Sequence, residues 1–236
     1  MKTTCTKLLL LLPAAVIVLG LMAPTARADT ITINLGAPNS AVSGEPGPYV
    51  QLQVNLTSST TATITATSMT EGPIPIIYLI GGNDALGLEV SGAVTASLLT
   101  ESNAGTGFAT TASEDTIVTC PPGHCQEDGF GDFNLQVMNF DGFTHSADTI
   151  SFTLTLTSGS WANAASVLTN NAGGFEGAAH IFATTSPANA SNGAIVTGYA
   201  GSGGPGVPVT EPGSVLMLGA GLLGFGLFRK KFGHRL

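Results

Sequence analysis

The chain has 236 residues, 43% hydrophobic and only 9% charged, with a formal net charge of −8 at pH 7. All seven Lys and Arg fall within residues 1–28 and 229–236, and all fifteen Asp and Glu fall between Asp29 and Glu211. A body with carboxylates and no Lys or Arg forms no ordinary salt bridge and has no cations for phosphates, which excludes nucleic acid as a partner.

Met1 to Ala28 starts with Lys2 and Lys7, runs apolar from Leu8 to Leu21, and closes on Ala26-Arg27-Ala28. A basic start, a short apolar core and an Ala-x-Ala-like site make residues 1–28 a secretory signal peptide. The run is short for a bilayer span, and Pro13 interrupts it. Cleavage after Ala28 leaves Asp29 as the mature N-terminus. Cys5 precedes the apolar core, so it is not placed as a lipoprotein cysteine.

Residues 29–200 form the body, rich in Thr, Ser, Gly, Ala and Asn. Its apolar residues alternate with polar ones: Ile31, Ile33 and Leu35; Val50, Leu52, Val54 and Leu56; Ala62, Ile64 and Ala66. Leu86, Leu88 and Val90 follow, then Phe133, Leu135 and Val137. The cleanest run is Ile150, Phe152, Leu154 and Leu156, set among Thr and Ser. Period two puts one face into a core and one into water. Thr suits the outward positions because its branched carbon fits the pleat.

Turn pairs punctuate these runs at Asn83-Asp84, Asp128-Gly129, Asp141-Gly142 and Ser158-Gly159. Pro73 and Pro75 remove two ladder donors, so the segment they lead into reads as an edge strand. The spacing predicts an all-β fold, an antiparallel β-sandwich of jelly-roll-like type with about eight to ten short strands. One patch, Trp161 to Leu168, has helical spacing with Ser160 as its cap, and predicts one short helix against the sandwich with Trp161 plugging an end.

Cys120 and Cys125 lie in C-P-P-G-H-C. An exported chain keeps a disulfide, and this one closes a tight Pro-Gly loop. A metal site with His124 is the alternative, but two Cys and one His fall one ligand short of a closed zinc site. The best acidic constellation is Glu127, Asp128, Asp132 and Asp141, with Asp148 opening the next strand. Carboxylates on turns at sheet ends suit Ca2+, although Asp-Gly also makes a turn with no metal. No other cofactor is expected. The chain has no G-x-S-x-G, no H-E-x-x-H and no phosphate loop, and His124, His145 and His180 are scattered, so an enzyme is not expected.

Residues 201–209 are a Gly/Pro-rich spacer. From Thr210 to Leu236 the chain reads Thr210-Glu211-Pro212-Gly213-Ser214, an apolar run from Val215 to Phe228, and the basic stop Arg229, Lys230 and Lys231. The run is about 14 residues, roughly 21 Å as a helix against a hydrocarbon core of about 30 Å. Gly219, Gly221, Gly224 and Gly226 weaken it, so it is a poor permanent anchor. The basic residues stay cytoplasmic and leave the body outside the inner membrane.

This tail resembles the PEP-CTERM sorting signal of Gram-negative surface proteins: a Pro-Glu-Pro box, a short membrane helix and a basic cluster. Glu211 and Pro212 fall on the last two box residues, Gly213 and Ser214 resemble the small residues after it, and Thr210 stands where the first Pro is expected. The body, through G-F-G-D-F-N-L-Q-V-M-N-F-D-G-F, resembles uncharacterised exported proteins with such tails. The resemblance implies an exosortase-type membrane transpeptidase as partner, acting at the inner membrane. It also implies an exported cell-surface or extracellular-matrix structural protein in an exopolysaccharide or biofilm setting. Two alternatives stand beside it. One is a carbohydrate- or calcium-binding adhesion module, with rows of outward Thr as the contact face. The other is a periplasmic protein held by a plain inner-membrane anchor.

Overall fold

The computed structural model describes residues 29–71, 76–102, 105–109, 115–138 and 142–203. Its strands are β1 (Asp29–Leu35), β2 (Ala37–Pro38), β3 (Val50–Ser58), β4 (Thr61–Ser68), β5 (Thr70–Glu71), β6 (Ile76–Ile80) and β7 (Leu86–Leu88). These are followed by β8 (Val94–Ser102), β9 (Thr116–Thr119), β10 (Gln126–Glu127), β11 (Gly131–Asp132) and β12 (Leu135–Met138). The last three are β13 (Thr149–Leu156), β14 (Gly177–Thr185) and β15 (Val196–Gly201).

Two antiparallel sheets face each other across one core. The five-stranded sheet has the order β1-β3-β4-β13-β8. Its inward residues align across strands: Val54 opposite Ile64, and Ile64 opposite Phe152; Leu52 opposite Ala66, and Ala66 opposite Ile150. The same register lines up Thr67, Thr65, Thr63 and Thr61 with Thr149, Ser151, Thr153 and Thr155 on the outer face. Strict alternation therefore sorts this sheet into an apolar side and a hydroxyl side. On the outermost strand the register slips between Ser151 and Thr153, so Leu98 and Leu99 of β8 stand against Phe152 alone. Leu98 takes a positive φ of 57° and is 76% exposed. This is a β-bulge.

The larger sheet runs β2-β15-β14-β7-β12-β9, with β6 also on β14. Strands β6 and β7 share one side of β14: Ile76–Ile80 pair with Thr185–Ile181, and Leu86–Leu88 with Ala179–Gly177. Between them the chain loops out from Gly81 to Asp84, with Gly82 at φ 99° where a side chain would be strained. Beyond β14, β6 pairs with the two residues of β5 and, at Ile80, with Ala147, in keeping with an edge-like strand after Pro73 and Pro75; those prolines lie outside the described residues.

Two expectations are corrected. Trp161–Leu168 is not a helix capped by Ser160; only Ala164–Ser166 form a 3-10 turn, with Asn163 at its N-cap. The flanking backbone bonds to strands instead: Trp161 N–H donates to Ser59, and Val167 accepts from Ser91 N–H. Asp29 Oδ2 accepts the Ala164 N–H at 2.7 Å. These tertiary bonds satisfy donors and acceptors that a helix would have used. Second, Phe133 does not continue the inward row of Leu135 and Val137. It packs with Phe130 and Ala178 on the opposite face of the larger sheet, in a second apolar cluster. Its N–H is taken by Cys125, so it belongs to the arm that covers that face.

Candidate functional site

The outer face of the larger sheet carries a shallow floor of small residues. Gln136 of β12 is opposite Gly87, Gly87 is opposite Ala178, and Ala178 is opposite Gly201. The arm from Cys120 to Phe133 lies over this floor. Cys120 and Cys125 are joined by a disulfide with Cα atoms 5.8 Å apart. The Cys120 N–H donates to Asn134, which ties the root of the arm to β12. A Cβ on Gly87 would fall 2.7 Å from Glu127 Oε1, and a Cβ on Gly201 would overlap the Phe130 ring. The two glycines are the space into which the arm fits.

Glu127 on this arm is 0% exposed. Burial pushes its carboxyl well above the usual range; a hydrogen bond from Gln136 works against the rise, and the Asp84 charge adds to it.

Beside the arm is a second polar centre. The loop between β6 and β7 sets Asp84 against His180 of β14, with Nδ1 3.1 Å from Asp84 Oδ1. His180 Nε2 lies 2.8 Å from Thr197 Oγ1, and Tyr199 donates its hydroxyl to the other Asp84 oxygen. The His180 and Tyr199 rings stack at 4.5 Å between centroids. Burial alone would raise the Asp84 carboxyl, but the bonds from His180 and Tyr199 outweigh it and hold Asp84 below its ordinary value. Burial, then the Asp84 bond and charge, push the Tyr199 phenol far up. Carboxylate, imidazole and hydroxyl stand in the order of a nucleophilic triad. The Thr197 hydroxyl also lies 3.1 Å from the Ile181 carbonyl, a second acceptor for its one proton.

A third centre joins Glu101 of β8, Asp115 just ahead of β9, and His145 at the end of the 3-10 turn Gly142–His145. His145 Nε2 is 3.4 Å from Glu101 Oε2 and 3.1 Å from Asp115 Oδ2. One ligand atom from each lies within 4.8 Å of the others.

Of the residues singled out for calcium, Glu127 points inward, while Asp128 and Asp132 are exposed. Asp128 accepts from Asn39 Nδ2 at 3.1 Å, and the backbone of Asp132 is held by Asn171. Asp141 lies outside the described residues, as do Thr210, Glu211, Pro212, Gly213, Ser214, Arg229, Lys230 and Lys231. Trp161 is 4% exposed and donates its indole N–H to Ser91, so the ring is packed and offers no open face. Asp84, Tyr199, Thr197, Glu101 and Asp115 were not legible as site residues. Asp84 is 96 residues from His180 and 115 from Tyr199, so no local motif carries them.

These features define the class: an antiparallel β-sandwich whose acidic body holds three polar centres. Residues 208–230 match the PEP-CTERM protein-sorting motif. The chain therefore carries the signal of proteins exported and sorted to the cell surface by an exosortase, a membrane protein that processes it. No curated protein and no solved structure matches the chain. Among the described residues no helix is long and apolar enough to cross a membrane.

Proposed function

We propose that the protein is a structural component of the cell surface or extracellular matrix, released from the inner membrane by exosortase-type processing in an exopolysaccharide-producing setting. The observation that carries this reading is the sorting motif over residues 208–230. One feature supports it. The body exposes carboxylates and hydroxyl rows with no Lys or Arg, which favours a hydrated extracellular particle over a nucleic-acid binder. The role is read as structural rather than catalytic because the sequence carries no G-x-S-x-G, H-E-x-x-H or phosphate-loop motif.

The test follows the tail. The protein is expressed with and without an exosortase, cells are fractionated, and the mature C-terminus is read by mass spectrometry. The expected product lacks residues 215–236 only when the exosortase is present. Retention of those residues in both hosts would replace this reading with a plain inner-membrane anchor.

The hydroxyl rows of β4 and β13 favour one second reading, adhesion to polysaccharide. Retention on insoluble exopolysaccharide, abolished by Thr63→Lys and Thr153→Lys together, would support it; equal retention of the variant would not.

A further inference from the structure

We propose that Glu101, Asp115 and His145 bind a divalent transition cation, with Zn2+ preferred over Ca2+. The three side chains come from separate parts of the chain and are enclosed: 0% exposed for Glu101 and His145 and 1% for Asp115. Two carboxylates face one imidazole. One imidazole nitrogen and two carboxylate oxygens enclosed together are a donor set that a divalent cation can share.

Ligand bonds of about 2.0–2.2 Å at tetrahedral angles put ligand atoms roughly 3.3–3.6 Å apart. The observed separations from His145 Nε2, 3.1 and 3.4 Å, are close to this, and all three ligand atoms lie within 4.8 Å of one another. Spacing alone would admit several cations, and the imidazole selects among them. Ca2+ and Mg2+ take oxygen ligands, whereas one imidazole with two carboxylates suits Zn2+ and leaves a fourth position for water.

The scaffold is built to hold this arrangement. Ser102, next to Glu101, bonds Asp148 Oδ1 at 2.5 Å, and the Asp148 N–H returns to Ser102 at 2.8 Å. Ala147 exchanges both backbone bonds with Ile80 at 2.8 Å. Ser146 closes the turn through its N–H to Phe143 and its hydroxyl to Gly142. The chain on the C-terminal side of His145 is thus pinned from two directions, which fixes the backbone that carries the imidazole. This proposal does not depend on the sorting reading.

The full chain, purified in detergent without chelator, is assayed by elemental analysis, then stripped and titrated with Zn2+, Ca2+ and Co2+. The expected result is about one Zn2+ per chain, a higher melting temperature with Zn2+ than with Ca2+, and visible absorption from four-coordinate Co2+. His145→Gln and Asp115→Asn should each weaken Zn2+ binding at least about tenfold. Folding of each variant is checked by Trp161 emission, and if one variant does not fold the other carries the comparison. Failure of the wild-type chain to bind Zn2+ saturably would overturn the proposal and leave the centre as a proton-sharing cluster. Undiminished binding by a folded variant would also overturn it, placing the ion at another histidine.

Discussion

Gln136 Nε2 donates to Glu127 Oε1 at 2.9 Å across the gap between β12 and the arm above it, while Glu127 Oε2 has no hydrogen-bond partner. This pair holds the covering arm to the sheet. It also makes the arm sensitive to proton concentration, because the carboxyl is buried with one oxygen unsatisfied.

Glu127→Gln should therefore flatten the pH dependence of stability. A carboxyl with a raised value in the fold binds its proton more tightly there than in the unfolded chain. Its contribution is full below the unfolded value of about 4.3 and is lost as pH rises through the raised one. Urea melts at pH 5, 7 and 9 should show the variant gaining on wild type as pH rises. A constant difference across that range would contradict the assignment.

Asp84 has the opposite sign. Its carboxyl is held below the ordinary value, so its contribution is present above about pH 4 and is lost as pH falls through the lower folded value. Asp84→Asn should remove part of the acid-side loss of stability. It should also bring the Tyr199 phenol down toward its ordinary value near 10, followed by phenolate absorbance. An unchanged Tyr199 titration would mean that Asp84 does not set it.

Gly201→Ala should cost about 1–3 kcal/mol, because the new methyl meets the Phe130 ring. Phe130→Leu in the same chain should recover part of that loss. Purely additive effects in the double-mutant cycle would show that the two positions do not compete for space.

Replacing both Cys120 and Cys125 with Ser should lower stability by about 2 kcal/mol, the chain-entropy value for so short a loop. The effect should concentrate in the arm. Hydrogen exchange should quicken over residues 126–133 and stay unchanged in β3, β4 and β13.

The sequence revealed the five-stranded sheet well because one of its faces meets water. Val50–Leu56, Ala62–Ala66 and Ile150–Leu156 alternate without interruption, and each of these stretches is a strand. The larger sheet was harder to read. Leu86–Leu88 is buried throughout, since the arm covers the face that would otherwise be polar. Along the chain Gly87 is the outward position of an alternating run and Gly201 opens the Gly/Pro-rich spacer, yet in the fold they are the floor on which Glu127 and Phe130 rest. Trp161–Leu168 has helical spacing, but its backbone groups are claimed by Ser59, Ser91 and Asp29, which are distant in sequence. The polar centres were hidden for the same reason: His145 and His180 each gain their partners only when strands from different parts of the chain lie side by side.

The bend at Leu98 bears on how many copies can share one surface. A straight outermost strand is a template on which another chain can extend the sheet. Here the bulge breaks the row of donors and acceptors partway along β8 and turns a leucine outward in a left-handed conformation. A neighbouring copy finds no continuous ladder to zip onto at β8. Chains crowded together would accordingly be kept from fusing edge to edge through this strand.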